Sequence, residues 1–80
     1  MYIGQKLTLT RSTKSYSLKG VVTSIGKNGE FSFRANRAQE DLKLTDLTID
    51  GDSAIVIDDI GMLFTFPVNR LYEVAKRQRG

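Results

Sequence analysis

The segment "DGDSAIVIDD", residues 50–59, gathers the carboxylates of Asp50, Asp52, Asp58 and Asp59, the densest set of potential metal ligands in the chain. A calcium loop starting at Asp50 requires glycine at its sixth position and glutamate at its twelfth. Those positions hold Ile55 and Gly61. Asp and Gly are also turn formers, and here they flank the apolar run "AIVI" on both sides, so the residues read as two turns around a strand. The chain has no histidine and no cysteine. The commonest general base, the thiol nucleophile and the nitrogen and sulfur metal ligands are therefore missing. "GKNG", residues 26–29, lacks the spacing of a phosphate-binding loop and reads as a hairpin tip. Ser12, Ser15 and Ser17 have no candidate base near them in sequence. These residues point to a non-enzyme with no metal, no cofactor and no small-molecule substrate.

The remaining functional signal is charge. The net charge of +3 hides a basic, acidic, basic order. Residues 1–38 carry seven Lys or Arg against Glu30, which gives +6. Residues 39–61 carry seven Asp or Glu against Lys43, which gives −6. Residues 62–80 carry four basic residues against Glu73, which gives +3. Basic side chains interleaved with an aromatic are the footprint of nucleic-acid binding, because cations meet phosphates and the ring stacks on a base. Lys6, Lys14, Tyr16, Lys19, Lys27, Arg34 and Arg37 are the candidates for such a surface. It would bind DNA or RNA with little sequence preference, since phosphate contacts carry no sequence information. The acidic block 39–61 supports the alternative, a protein-interaction module such as an adaptor or a small inhibitor of a larger enzyme. A surface with both signs docks by charge complementarity, and a free β-edge can pair with a partner strand. If the basic residues share one face, nucleic acid is favoured. If they scatter or pair with the acidic block, a protein partner is.

These residues must be positioned by a small scaffold. Eighty residues make one domain spanning 1–80, with 40% hydrophobic content for a modest core. Without cysteine the fold has no covalent staple, which suits a reducing, cytoplasmic setting. No apolar run approaches the ~18 residues of a membrane span, and the N-terminal segment lacks the apolar core of a signal peptide.

Alternation sets most elements. "IGQKLTLTRS" places Ile3, Leu7 and Leu9 on one side and Lys6, Thr8 and Thr10 on the other. Strands over 18–25 and 30–35 form an antiparallel hairpin through Asn28-Gly29, a strong turn signal. Gly20 suggests a bend or bulge. Asn36 and Gln39 fit the start of a short helix in "NRAQEDLKLTD", followed by a short strand at "LTI". "AIVI" and "MLFTF" form a second hairpin through "DDIG". The expected core is Leu7, Leu9, Val21, Ile25, Phe31, Phe33, Ile55, Phe64, Phe66 and Leu71, with Val22 replacing Val21 if Gly20 marks a bulge.

After Pro67 two structures compete. A helix fits because proline favours the first helical position and Val68, Leu71, Tyr72 and Ala75 share one face. A 3₁₀ or helical turn over 67–70 followed by a closing strand near 71–75 also fits, with 76–80 fraying. The segment "LFTFPVNRLYEV" resembles the end of an SH3 domain, where a strand runs into Phe-Pro, a variable residue, Asn, an aromatic and a hydrophobic before the last strand. Phe66, Pro67 and Asn69 match, Leu71 takes the hydrophobic position, and Arg70 stands where that family has its groove tyrosine. The strand order is also similar to SH3-like barrels, including the KOW and Tudor types. The resemblance implies a mainly β fold, a small antiparallel barrel of five to six strands with a 3₁₀ or short helical turn near the C-terminus, and it favours the closing strand. It does not extend to polyproline binding, because the family's "ALYDY"-type segment and its tryptophan are absent here.

Overall fold

The computed structural model describes residues 1–11 and 17–74. Six strands occupy most of them: β1 Lys6–Arg11, β2 Ser17–Ile25, β3 Phe31–Ala35, β4 Leu42–Asp50, β5 Ser53–Ile57 and β6 Leu63–Pro67. Each runs antiparallel to the next, and β6 returns to β1, so the mainly β fold closes into a ring. One short helix, α1 Val68–Leu71, follows β6. Among the described residues no helix is long and apolar enough to cross a membrane.

Period-two alternation produces β1 as expected. Leu7 and Leu9 are buried while Lys6, Thr8 and Thr10 face out. The expected β2–β3 hairpin also forms, with Val22 opposite Phe33 and Ile25 opposite Phe31. At its tip Gly26 N–H donates to the Glu30 carbonyl at 2.7 Å, and Gly29 adopts φ 83°, which glycine permits at no steric cost.

Gly20 does not mark a bulge. It pairs with Leu7 on one side and Ala35 on the other, facing inward. A Cβ at this position would lie 2.1 Å from the Arg34 carbonyl oxygen, so only glycine lets β3 come this close. The inward parity of Gly20 carries Val22 into the core and leaves Val21 half-buried on the outside. The register shift falls between Val22 and Ser24, making Thr23 the extra residue. Ile25 returns to the side of Phe31 but sits at the mouth of the ring, 42% exposed, and is not core.

The short helix expected from Asn36 is not formed. Asn36 N–H continues the ladder to the Lys19 carbonyl at 2.8 Å, and Ala38 N–H closes a turn on Ala35. Arg37 has φ 69°, outside the right-handed helical region. The chain instead enters β4, nine residues long and not the three of "LTI". Its alternation is interrupted by Asp46 at φ 55° and a register shift between Thr45 and Thr48. Leu44 becomes core.

Strand β5 faces the opposite way from the expectation: Ala54 and Val56 are buried, Ile55 only half-buried. Ala54 lies opposite Phe66 and Val56 opposite Phe64, so small residues accommodate the two rings. Phe66 meets Phe31 edge to face at 5.9 Å and 87°.

The helical turn after Pro67 forms as α1, but no closing strand follows over 71–74: Tyr72 is a turn and Glu73–Val74 are irregular. No such strand is needed, because β1 already closes the ring on β6 through Thr10–Thr65 and Arg11–Phe64. Leu71 packs against the core edge and is not part of its buried interior. The expectations for residues 75–80 lie outside the described residues.

Candidate functional site

The site begins with the direction of the hydrogen bonds in β2. Val22 N–H donates to the Gln5 carbonyl at 3.0 Å, and the Val22 carbonyl accepts from Gly4 N–H at 2.8 Å. The Lys19 carbonyl instead accepts from Asn36, on the β3 side. In an antiparallel ladder these directions alternate, so Leu18, Gly20 and Val22 face β1. Their partners Leu7 and Leu9 spend their backbone groups on β2. Lys6, Thr8 and Thr10 therefore point their N–H and C=O groups toward β6.

Only Thr10 finds a full partner there, Thr65. Continuing that register puts Pro67 opposite Thr8, and proline has no N–H to give the Thr8 carbonyl. Asn69 would oppose Lys6, but by then the chain has turned into α1. The β1–β6 seam opens at this point. Beside it runs a groove of about 730 Å³ along the outer face of β1 and β2, with Lys6, Thr8, Lys19 and Asn36 on one side and Pro67 and Arg70 on the other.

Neither β1 nor β2 carries an acidic residue. The exposed Asp46 and Asp50 belong to β4, which stands across the ring from β1, whereas Asp52, in the turn after it, lies by α1, its carbonyl accepting from Val68 N–H at 2.8 Å. Lys6 lies opposite Val21 and Lys19 opposite Thr8, which makes the two lysines diagonal neighbours on the outer face. Both are exposed, and neither has an ion-pair partner among the described residues. Arg70 forms an ion pair with Glu73 at 2.6 Å. The wall carrying Arg70 is fixed by Gln5, a buried side chain whose Nε2 donates to the Arg70 carbonyl at 2.9 Å.

Of the seven basic and aromatic residues singled out from the sequence, the structure thus brings Lys6 and Lys19 together. Arg34 is on the outer face opposite Val21, but its Nε donates to Asp41 Oδ1 at 2.8 Å. Asp41 comes from the acidic block and also accepts from the Thr23 hydroxyl at 2.9 Å. That hydroxyl is the main cause holding the Asp41 carboxyl below its ordinary value; desolvation opposes it, and Arg34 adds to the lowering. Lys27 sits at the hairpin tip, about 20 Å or more along the strand from Lys19. Arg37 is exposed in the left-handed turn at the other end of the ring. Lys14 and Tyr16 lie outside the described residues.

Three site residues were missed from the sequence: Gln5, Asn36 and Arg70. Pro67 signals where the β1–β6 ladder ends, since proline leaves its neighbouring strand without a donor, but it does not name these three residues. The aspartates around β5 serve the turns. Asp58 is buried, and its Oδ1 accepts from Ile60 N–H at 3.0 Å and Met62 N–H at 2.8 Å. Among the described residues no three His, Cys, Asp or Glu side chains group to hold a metal ion.

The chain matches no family model, no curated protein and no solved structure.

Proposed function

We propose that this chain is a non-catalytic, SH3-like small β-barrel that docks on a protein partner through the groove at the β1–β6 seam. One observation carries the proposal: two lysines without ion-pair partners among the described residues stand on neighbouring strands that carry no acidic residue, beside a β1–β6 seam that Pro67 leaves only partly paired. Such an edge supplies main-chain hydrogen bonds, and the lysines supply charge complementarity. The six-strand ring and the helical turn directly after Phe66-Pro67 support the SH3-like assignment. The stretch 71–74 departs from that family's pattern, which has a last strand after the turn.

Nucleic-acid binding is the second reading, favoured by the adjacency of Lys6 and Lys19. It ranks lower because Arg34 is engaged by Asp41 while Lys27 and Arg37 stand at opposite ends of the ring. A shared phosphate track would need these cations along one face.

Co-purification from the native host with nuclease treatment, run on the wild-type chain and on a Lys6→Glu/Lys19→Glu variant, tests the proposal. A protein companion that survives nuclease and is lost in the variant is expected. Nuclease-sensitive recovery, together with anisotropy binding to single- or double-stranded DNA or RNA, would favour the second reading.

A further inference from the structure

We propose that the occupant of the groove is an extended acidic peptide that adds to the exposed edge of β1 as a strand. This inference rests on the protein-partner reading above and names the chemistry of the partner.

The edge is specific about what it accepts. Lys6 offers an N–H and a C=O toward the opening, while the Thr8 carbonyl, with Pro67 opposite it, only lacks an N–H donor from β6. These groups are spaced for a strand, with a repeat of about 6.5–7 Å between successive residues of like direction. A helix cannot use them, because its own N–H and C=O groups are spent internally. An extended backbone can, and the two main-chain bonds to Lys6 need a stretch of only about three residues.

The charges then select the side chains. A strand added beside β1 presents alternate residues on the outer face, in line with Lys6, Thr8 and Lys19. Carboxylates at positions i and i+2 of that strand would meet Lys6 and, across the groove, Lys19, whereas Arg70 is already paired with Glu73. Intervening residues face the seam beside Pro67, where small or β-branched side chains suit an added strand. The groove wall is held in place before binding, since Gln5 fixes Arg70 and the Asp52 carbonyl accepts from Val68 N–H at 2.8 Å. Preorganisation of this kind lowers the cost of ordering the site. Lysine-bearing edges are a common defence against unwanted pairing. Here the same lysines admit an acidic strand and repel a basic one.

The test uses a short fluorescein-labelled peptide alternating Glu and Thr, titrated with the full chain at low salt. Two control peptides accompany it, one alternating Lys and Thr and one with the Glu-Thr sequence but N-methylated at alternate amides. Binding of the Glu-Thr peptide is expected, weakened about tenfold or more by Lys6→Glu/Lys19→Glu, by N-methylation and by the Lys-for-Glu exchange. Saturating peptide should also slow hydrogen exchange of the Lys6 amide, which a purely electrostatic contact would leave unchanged. Equal binding of the N-methylated peptide, or an unprotected Lys6 amide, would overturn strand addition. A nuclease-resistant companion that the peptide fails to compete off would overturn the acidic-strand occupant while leaving the protein-partner reading intact. Oligonucleotide binding that needs the same two lysines, with no peptide binding, would overturn both. A second copy as the occupant would show as a concentration-dependent rise in mass that Lys6→Glu/Lys19→Glu abolishes, and would equally overturn a separate peptide.

Discussion

The Gln5 side chain donates to the main-chain carbonyl of Arg70, 65 residues away in the chain, at 2.9 Å. Its Oε1 accepts from Tyr2 N–H at 3.1 Å, so a side chain 1% exposed joins the N-terminal segment, β1 and α1. Gln5→Leu keeps the approximate volume and removes both bonds, leaving polar backbone groups without partners. The expected cost is about 1–3 kcal/mol in urea unfolding followed by circular dichroism. Gln5→Glu should lose the donor to Arg70 and set a carboxylate against a carbonyl, so it should be no better. A wild-type midpoint for both variants would show that α1 is held by other contacts.

Gly20 is irreplaceable for a different reason than Gly51. A Cβ at Gly20 collides with the β3 backbone, whereas at Gly51 it meets nothing but must adopt φ 62°. Gly51→Ala should cost about 1–2 kcal/mol, the penalty of a left-handed conformation. Gly20→Ala must separate β2 from β3 and should cost about 3 kcal/mol or more, at or above the usual range for overpacking. Thermal unfolding of the two variants side by side checks the order. Equal losses would mean that the hairpin opens without penalty.

Core parity in β5 gives a comparison in which the larger residue matters less. Val56 is fully buried opposite Phe64, and Ile55 is on the outer side opposite Thr65. Val56→Ala should destabilise by about 1–3 kcal/mol, and Ile55→Ala by less. Phe33→Ala, at the centre of the core, should cost about 3–5 kcal/mol, a large share of the stability of so small a domain. Denaturant midpoints that rank Ile55→Ala above Val56→Ala would reverse the assigned face.

The same residues explain how much of the fold was legible in the sequence. The β2–β3 hairpin was, because Asn28-Gly29 sets the turn and Phe31 and Phe33 keep strict alternation. β5 was not, because "AIVI" is apolar at every position and only the rings of Phe64 and Phe66 across the ladder decide which residues turn inward. β4 was hidden by Asp46, whose left-handed backbone shifts the period in mid-strand. At the site, Lys6 and Lys19 could be named from composition, but their adjacency follows from a register pinned by Gly20 and by the leucines of β1. Arg70 was out of reach because its place depends on a bond from Gln5 that no local pattern announces.

The Thr23–Asp41–Arg34 cluster makes stability respond to acid with a definite sign. The Thr23 hydroxyl is the main cause of the lowered Asp41 pKa, with Arg34 adding to it, relative to the ordinary 3.8. A carboxyl whose folded pKa lies below its unfolded value binds fewer protons when folded. Its stabilisation is therefore complete above the ordinary value and disappears as pH falls through the folded one. Thr23→Val preserves the branched shape at the bulge but removes the hydroxyl, so the Asp41 pKa should rise toward 3.8. Carboxyl-carbon NMR titration reads this directly. Stability should follow: the wild-type advantage over Thr23→Val should hold above about pH 5 and shrink as pH falls below the ordinary carboxylate range. An unchanged Asp41 midpoint in Thr23→Val would assign the shift to Arg34 alone, and Arg34→Gln would then be the variant that raises it.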